Sequence, residues 1–243
     1  MVRGFYQLTS GMLTQNRMLN TISNNLANTA TNGFKADKVR AKTFGSMVID
    51  RIDSERTPIG KVNLMTTADK AVTDFSQGTL QQTDRPLDFA IGGDGFFAVQ
   101  SDDGVVYTRN GSFNLDDGGY LTLNGVGRVL GKDGRPIALG TDNVQSDGQG
   151  NLFVNNNPAG SIGVYRFPDN QALKKIGEGM FSGAGAVVEQ APQVSWKCVE
   201  GSNADMAQQM TSAISAERGL QSCSQALKMY DQVLDKATDI GKI

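Results

Sequence analysis

The spacing of apolar residues at the two ends of the chain constrains its fold more than any other feature. In both regions these residues alternate at intervals of three and four, apart from Gln15 in the first seam and Glu217 and Ser224 in the second. This periodicity is typical of helices that pair along one face. The predicted seam residues are Phe5, Leu8, Met12, Leu19, Ile22 and Leu26 at one end, and Met206, Met210, Leu220, Leu227 and Leu234 at the other.

We therefore predict two helices that pair as a coiled coil. The first runs from Phe5 to about Asn28 and the second from about Asn203 to Thr238. Ser202 or Asn203 is expected to be the N-cap of the second helix, because both side chains can accept a hydrogen bond from its first turn.

The faces of the N-terminal helix that do not belong to the seam are polar but almost uncharged. Of the 25 residues from Gly4 to Asn28, only Arg17 is charged and twelve are Ser, Thr, Asn or Gln. A helix that faces water normally carries charges on its outer face. A neutral polar face can instead be buried between subunits without stranding a charge, so we interpret this helix as an assembly element.

The middle of the chain has the pattern of an antiparallel sheet. Seven Asp-Gly or Asn-Gly pairs lie between Gly92 and Gly150, and such pairs supply the positive φ angles of tight hairpin turns. Short strands fit between them, and 177–185 is expected to be a loop leaving the sheet. The predicted strands are 96–100, 105–109, 112–115, 120–123, 128–130, 151–154 and 162–167.

The predicted fold class is therefore α+β, with paired terminal helices and a central antiparallel all-β domain, either a small sandwich or a barrel. The predicted boundaries are 1–34 for the N-terminal helix, 35–80 for a connector, 81–186 for the β domain, 187–202 for a second connector and 203–243 for the C-terminal helix. The two connectors are expected to run together.

Composition excludes several kinds of chemistry. The 243 residues include no histidine and two cysteines, so nucleophile–histidine catalysis and histidine zinc sites are excluded, and a four-thiolate zinc site lacks ligands. A net charge of −2 without a basic cluster argues against nucleic acid as a partner. No catalytic residue, cofactor site or metal site is predicted.

Three short patterns that could carry chemistry are better explained by turns or packing. The carboxylate pairs Asp102-Asp103 and Asp116-Asp117 sit beside glycine at hairpin tips. Residues 92–95 lack the spacing of a phosphate-binding loop, and 142–151 lacks the order of a calcium loop. Trp196 is expected to pack in the core.

The sequence shows neither a membrane span nor a cleaved secretion signal. No run approaches about 18 apolar residues, and the N-terminus lacks the unbroken apolar stretch of a signal peptide. We expect no membrane insertion, and if the protein works outside the cytoplasm we expect export without signal cleavage.

Five segments together resemble the signatures of bacterial flagellar rod and hook proteins. The first, 10–35, contains SNNLANTATNGFK; the others are DFSQGTLQQT at 74–83, LDFAIGGDGFF at 87–97, YTRNGSF at 107–113 and EGSNADM at 200–206. They occur in the family's order and span nearly the whole chain. The signature residues singled out are Asn24, Asn25, Asn28, Thr29, Gly33 and Phe34.

The resemblance implies a structural subunit of the flagellar basal-body rod rather than an enzyme. It implies self-assembly into a helical tube that transmits torque and encloses an export channel, with other rod and hook proteins and the flagellar type III export apparatus as partners. The length is close to that of the rod proteins and far short of that of the hook protein. Residues 83–88 and the short connector before them are more similar to proximal-rod members than to distal-rod members. The alternatives are a distal-rod or hook–basal-body subunit, a Gram-positive relative, a secreted surface-binding module whose β domain holds a ligand, and an enzyme that uses paired carboxylates.

Overall fold

The computed structural model describes residues 2–52, 56–102, 104–177 and 179–240. Helix α1 spans Val2–Ala27 and helix α2 spans Met206–Ile240. The strands lie between them in the order β1 Asp37–Ile52, β2 Arg56–Thr73, β3 Leu80–Gln82, β4 Phe89–Gly92, β5 Phe96–Ser101, β6 Gly104–Thr108, β7 Asn114–Leu115, β8 Leu121–Leu123, β9 Gly127–Val129, β10 Val144–Ser146, β11 Asn151–Val154, β12 Asn157–Ser161, β13 Val164–Arg166, β14 Lys174–Gly177, β15 Met180–Ser182, β16 Val187–Val188, β17 Gln193–Trp196 and β18 Cys198–Glu200.

The chain forms two compact units. The first consists of Met1–Leu26, Asp37–Val72 and Met206–Ile243, so it holds both helices and the two-stranded sheet of β1 and β2. The second consists of Ala27–Ala36 and Thr73–Asp205. An N-terminal helix, a C-terminal helix and a central β region are thus present as predicted.

Antiparallel pairing organises the second unit. Its largest sheet has nine strands, with β14-β15-β6-β5-β9-β8-β7 along one path and β13 joining β5 to β16. A three-stranded sheet has the order β10-β11-β12. Two further pairs, β17 with β4 and β18 with β3, join the second predicted connector to the stretch from Leu80 to Gly92.

Strand β5 lies at the centre of the core because both of its faces are buried. Phe97 and Val99 belong to the larger apolar cluster, whereas Phe96 and Ala98 belong to a second cluster rich in aromatic rings. Successive side chains of a strand point to opposite faces, so a run of four apolar residues serves two cores. The indole of Trp196 packs against the larger cluster, which confirms its predicted packing role.

The predicted hairpin glycines adopt left-handed backbone at only some of their positions. Gly95, Gly104, Gly125 and Gly134 have positive φ. At two other turns the neighbouring glycine takes that conformation instead, Gly119 for the pair ending at 118 and Gly150 for the pair ending at 148. Gly111 is required for a different reason, since a Cβ there would overlap the main chain at Phe89.

Two local predictions are wrong, the cap of the second helix and the loop at 177–185. Helix α2 begins at Met206, and the predicted cap Asn203 is engaged elsewhere: its Oδ1 accepts from the N–H of Ala36 at 2.8 Å and its Nδ2 donates to the carbonyl of Asp74 at 2.7 Å. The predicted loop 177–185 contains strand β15, which pairs with β6 and β14 and buries Phe181 in the aromatic cluster.

Candidate assembly site

Helices α1 and α2 pack against each other in the first unit with a constant register. The residues that meet are Gly4 with Tyr230, Gly11 with Cys223, Gln15 with Gly219 and Asn25 with Gln209. Each advance along α1 is matched by an equal retreat along α2, so the helices run antiparallel. Small residues allow the close approach: a Cβ on Gly4 would lie 3.3 Å from the Tyr230 ring.

The predicted seam residues fall into two groups by exposure. Three are exposed at the surface: Phe5 (42%), Met206 (50%) and Met210 (47%). The remaining eight are half-buried, and they are Leu8, Met12, Leu19, Ile22, Leu26, Leu220, Leu227 and Leu234. The best-buried side chain of α2 is the small Ala216.

Apolar surface on the two helices is larger than the seam alone. Further side chains outside it also have more than half of their surface exposed: Tyr6, Leu13, Ile214, Met229, Val233 and Ile240. Exposed apolar side chains of this kind are candidates for contacts with other chains where they lie side by side.

Buried hydroxyl groups on α1 are satisfied within the helix. Ser10 donates to the carbonyl of Gln7 at 3.0 Å, and Thr14 donates to the carbonyl of Ser10 at 2.9 Å. Because their hydrogen bonds are local, these side chains can be buried without an external partner.

Asn25 of the family signature joins three elements of the first unit. Its Nδ2 donates to the carbonyl of Asp37 at 2.8 Å and to Oε1 of Gln209 at 3.3 Å, and its Oδ1 accepts from the N–H of Asp37 at 3.0 Å. The end of α1 is thereby tied to the first residue of β1 and to the first turns of α2.

Asn25→Ala is expected to lower the free energy of unfolding of the first unit by about 1–3 kcal/mol, because the main-chain groups of Asp37 lose their partners. Asn20→Ala, an exposed position on the same helix, is the control and should change it by less than about 0.5 kcal/mol. Hydrogen exchange of the α1 and β1 amides measures both. Equal protection in the two variants would contradict the role given to Asn25.

A buried cluster of charged side chains brings the resembling segments of the second unit together. Lys35 Nζ lies 2.6 Å from Glu200 Oε1, and Arg109 Nη1 lies 3.0 Å from Glu200 Oε2. All three side chains are at least 97% buried. We call Lys35, Arg109 and Glu200 the buried charge cluster.

Main-chain groups add further hydrogen bonds to this cluster. Lys35 Nζ also donates to the carbonyl of Ser76 at 2.7 Å, and Arg109 Nη2 donates to the carbonyl of Gly93 at 2.7 Å. Glu200 Oε1 accepts from the N–H of Gly78 at 2.9 Å. Each of the five segments that carry the family resemblance therefore contributes to one site.

The cluster places two cations beside one carboxylate in an apolar interior. Burial lowers the pKa of Lys35 below its ordinary value, and this effect outweighs the opposing attraction of Glu200. Arg109 Cζ lies 5.3 Å from the centre of the Phe96 ring. Within the described residues, Arg109 Nε is the one buried side-chain nitrogen or oxygen without a hydrogen-bond partner. The folded state thus depends on Glu200 to compensate both cations.

Gly33 and Phe34 directly precede Lys35 of this cluster in the chain. Gly33 has φ +69°, and its N–H donates to the carbonyl of Glu200 at 2.6 Å. A Cβ at Gly33 would overlap the main chain of Arg109 and Asn110. Phe34 is fully buried, with Lys175 Nζ 4.3 Å from its ring centre.

The other signature residues have different surroundings. Asn28 is buried and accepts from the hydroxyl of Thr31 at 3.0 Å, which closes the turn after α1. Thr29 is half-buried and Asn24 is exposed. The signature residues therefore mainly form the turn that follows α1 and the segment that leads to Lys35 of the buried charge cluster.

Sequence reasoning missed the roles of Arg109 and Glu200. Both stand inside segments that were recognised only as family patterns. The available signal was a charged residue among uncharged neighbours in NGFK and YTRNG, and an acidic residue at the start of EGSNADM. Such charges become informative when several recur in separate segments with opposite signs.

The carboxylates considered for catalysis form turns. Asp116 accepts from the N–H of Tyr120 at 2.8 Å and from Arg128 Nε at 2.9 Å, and these bonds hold the pKa of Asp116 below its usual range. Asp147 accepts from the N–H groups of Gln149 and Asn151 in the predicted turn at 142–151. Asp103 lies outside the described residues.

The described part of the chain contains no candidate metal site and no helix that could span a membrane. No three acidic, cysteine or histidine residues there converge as metal ligands. Neither α1 nor α2 combines the length and apolar character that crossing a bilayer requires.

Family models match three parts of the chain. The model described as Flagella basal body rod protein matches residues 5–35, the model described as Flagellar hook protein FlgE/F/G D1 domain matches 90–156, and the model described as Flagellar basal body rod FlgEFG protein C-terminal matches 198–240. The first includes most of α1, and the third includes all of α2.

Similar proteins cover the chain from end to end. It is 32% identical over 271 residues to the flagellar hook-basal body complex protein FlhO of Bacillus subtilis, and 31% identical over 264 residues to the flagellar basal-body rod protein FlgG of the same organism, with 100% of each chain covered in both cases. It is 28% identical over 244 residues to the rod protein FlgF of Mesorhizobium japonicum, which covers 96% of this chain and 95% of that protein.

The three family models occur in the same order as the motifs, and two relatives more than 30% identical cover the chain from end to end. Both findings agree with the convergence of these motifs at the buried charge cluster. The chain belongs to the flagellar basal-body rod protein family, in the group that includes FlgF and FlgG.

Proposed function

We propose that this protein is a structural subunit of the bacterial flagellar basal-body rod, built into a helical tube through its terminal helices. The observation that carries the proposal is the exposed apolar surface of α1 and α2, together with the low charge of α1, in which Arg17 is the one charged residue from Gly4 onwards. Each apolar side chain removed from water contributes about 1.5–3 kcal/mol, so neighbouring copies would gain considerably by covering them. The protein is not an enzyme, in keeping with its structural relatives.

The helix pair is proposed to act as a coiled coil in the rod. The constant antiparallel register and the half-buried leucines Leu220, Leu227 and Leu234, spaced by seven, support this. The exposed seam residues Phe5, Met206 and Met210 would then be covered by other subunits. For the second unit, a sandwich is supported by the two buried faces of β5.

The proposed partners are further copies of this chain, other rod and hook proteins, and the flagellar type III export apparatus. Contacts of the heterologous kind generate open filaments rather than closed rings. An uncharged polar surface on α1 suits a wall between subunits and a channel that does not retain charged cargo. We propose that the same tube transmits torque.

Two kinds of similarity point to different positions of this subunit along the rod. The sequence between residues 83 and 88 favoured a proximal-rod subunit of the FlgF type, whereas relatives named FlgG and FlhO have higher identity than the FlgF of Mesorhizobium japonicum. A distal-rod, FlgG-like role is equally compatible. In either case the proposed site of action is the basal body, in the periplasm or cell-wall layer.

Complementation of a deletion strain tests the function. The deletion is expected to abolish rods and swimming, and the wild-type gene to restore both. Leu19→Glu should fail to restore them, because it places a charge on the half-buried face of α1. Gln225→Glu, an exposed position of α2, is the control and should restore motility. Intact rods in the deletion strain would refute the proposed function.

A further inference from the structure

Asparagine followed by glycine occurs three times in the chain, at 32–33, 110–111 and 124–125. In such a pair the main-chain nitrogen of the glycine can attack the side-chain carbonyl carbon of the asparagine, because glycine has no Cβ to hinder the approach. The attack requires an asparagine side chain that can turn towards the main chain and a glycine nitrogen that is not held in a hydrogen bond. The fold therefore determines which of the three pairs can react.

The pair at 32–33 is held in place by the second unit. The N–H of Gly33 donates to the carbonyl of Glu200 at 2.6 Å. Gly33 is buried, and a Cβ there would overlap the main chain of Arg109 and Asn110. The nitrogen of Gly33 therefore has neither the freedom nor the space for the attack.

The pair at 110–111 is held by different contacts. The Oδ1 of Asn110 accepts from the N–H of Ser112 at 3.1 Å, which fixes the side chain in a turn with its own backbone. Gly111 is buried, its carbonyl accepts from the N–H of Phe89 at 3.0 Å, and a Cβ there would overlap the main chain of that residue. This part of the core would have to open before the pair could react.

The pair at 124–125 lies in the turn between β8 and β9 and has neither kind of restraint. Asn124 and Gly125 are both exposed, and a Cβ at Gly125 would meet nothing within 4 Å. The turn is closed by a hydrogen bond from the N–H of Val126 to the carbonyl of Leu123 at 3.1 Å. Within the described residues, neither the side chain of Asn124 nor the N–H of Gly125 has a hydrogen-bond partner. Both reacting groups are therefore open to solvent.

We propose that Asn124 is a site of spontaneous deamidation in the folded protein. The nitrogen of Gly125 loses its proton and bonds to Cγ of Asn124, while the bond from Cγ to Nδ2 breaks, so that ammonia leaves and a cyclic succinimide remains. Water then opens the ring at either of its carbonyl carbons. The product is aspartate, or isoaspartate if the main chain continues through Cγ. Water is consumed and ammonia is released, with no oxidation or reduction.

Both products change the surface, and isoaspartate also changes the turn. Each carries a carboxylate in place of the neutral amide, which adds a negative charge to the net charge of −2. Isoaspartate lengthens the main chain between β8 and β9 by a carbon atom. Leu123 pairs with Gly127 across this turn, and a Cβ at Gly127 would overlap the carbonyl of Gln100. Because there is no room at Gly127, the extra atom must be accommodated at the exposed positions 124 and 125.

Peptide mass spectrometry of the stored protein tests the proposal. The purified full chain is incubated under mildly alkaline conditions, which favour the deprotonated nitrogen, and is then digested under mildly acidic conditions. Conversion of the amide to a carboxylate is expected to be at least about tenfold faster at Asn124 than at Asn32 or Asn110, because the latter pairs must first lose hydrogen bonds and buried packing. A protease that cleaves before aspartate but not before isoaspartate distinguishes the two products.

Two controls separate the effect of the fold from that of the local sequence. In guanidinium chloride, where the chain is unfolded, the three pairs should react at similar rates. Asn124→Gln keeps an amide at an exposed position, but its longer side chain closes a ring far more slowly, so its peptide should stay unchanged. Similar rates at the three pairs in the folded protein, or an unchanged Asn124 when the unfolded chain does react, would overturn the proposal. Neither outcome bears on the rod function, from which this inference is independent.

Discussion

Glu200→Gln is expected to lower the free energy of unfolding of the second unit by about 3–5 kcal/mol. The substitution removes the carboxylate that contacts both Lys35 and Arg109 and leaves two buried cations without a counter-charge. The amide also points a donor at one of these cations, which are themselves donors. Because native domains are stable by only about 5–15 kcal/mol, the variant should unfold at a much lower urea concentration.

The urea midpoint can be followed by the fluorescence of Trp196, the single tryptophan, whose Nε1 donates to the carbonyl of Pro86 at 2.8 Å inside this unit. Glu189→Gln is the matched control, since Glu189 pairs with Arg166 at a partly exposed site and should contribute at most about 1 kcal/mol. Equal midpoints for the two variants would contradict the importance of the buried charge cluster.

A double-variant cycle separates the charge from the fold. Lys35→Met with Glu200→Gln should be destabilised by less than the sum of the two single substitutions, because the double variant no longer buries an unpaired ammonium group. An additive result would mean that Lys35 and Glu200 do not stabilise the fold through each other.

Gly33→Ala is expected to destabilise the second unit by about 2–5 kcal/mol. The left-handed backbone at φ +69° costs a non-glycine residue about 1–2 kcal/mol. The new Cβ would also collide with the main chain of Arg109 and Asn110, and the resulting displacement adds about 1–3 kcal/mol. It would shift the N–H that donates to Glu200, so the effect should reach the buried charge cluster.

Gly134 offers a control, because its φ angle is nearly the same as that of Gly33 but no atom lies close to where its Cβ would be. Its φ is +70°, and a Cβ there would meet nothing within 4 Å. Gly134→Ala should therefore show only the conformational cost of about 1–2 kcal/mol. If thermal unfolding of the two variants gives the same change, the close approach at Gly33 is not the reason for glycine at that position.

Local patterns predicted the elements whose residues interact with near neighbours. The alternation of apolar residues located both helices, and the strand at 151–154 has the predicted bounds. Strand β5 was found because its four apolar residues lie between two turns. In each case the decisive interactions are within a few residues along the chain, so the sequence displays them directly.

Long-range contacts account for what the sequence did not reveal. Asn203 has the chemistry of a helix cap, yet its amide binds Ala36 and Asp74, far away in the sequence. Phe181 lies in a glycine-rich stretch typical of a loop, but pairing with β6 makes it part of a strand. No local pattern indicates such partners.

The same limit applies to the candidate site. The motifs that carry the family resemblance could be recognised in the sequence. The convergence of Lys35, Arg109 and Glu200 is visible only in the folded structure, because the three residues lie far apart along the chain. The exposure of the seam residues could not be predicted either. The spacing assigned Met206 and Met210 to the seam, but both are exposed, because burial depends on which side chains of the partner helix lie opposite them.

The separation of Lys35 from Glu200 along the chain has a consequence for the order of folding. The two residues are 165 positions apart, and a polypeptide is made from its N-terminus. Until the last part of the chain has emerged, the lysine has no carboxylate to meet and the second unit lacks its final strand, β18. Closing so long a loop is slow compared with forming a local hairpin. A shortened chain that ends before residue 200 would therefore bury Lys35 without its counter-charge and leave the unit without a complete β18.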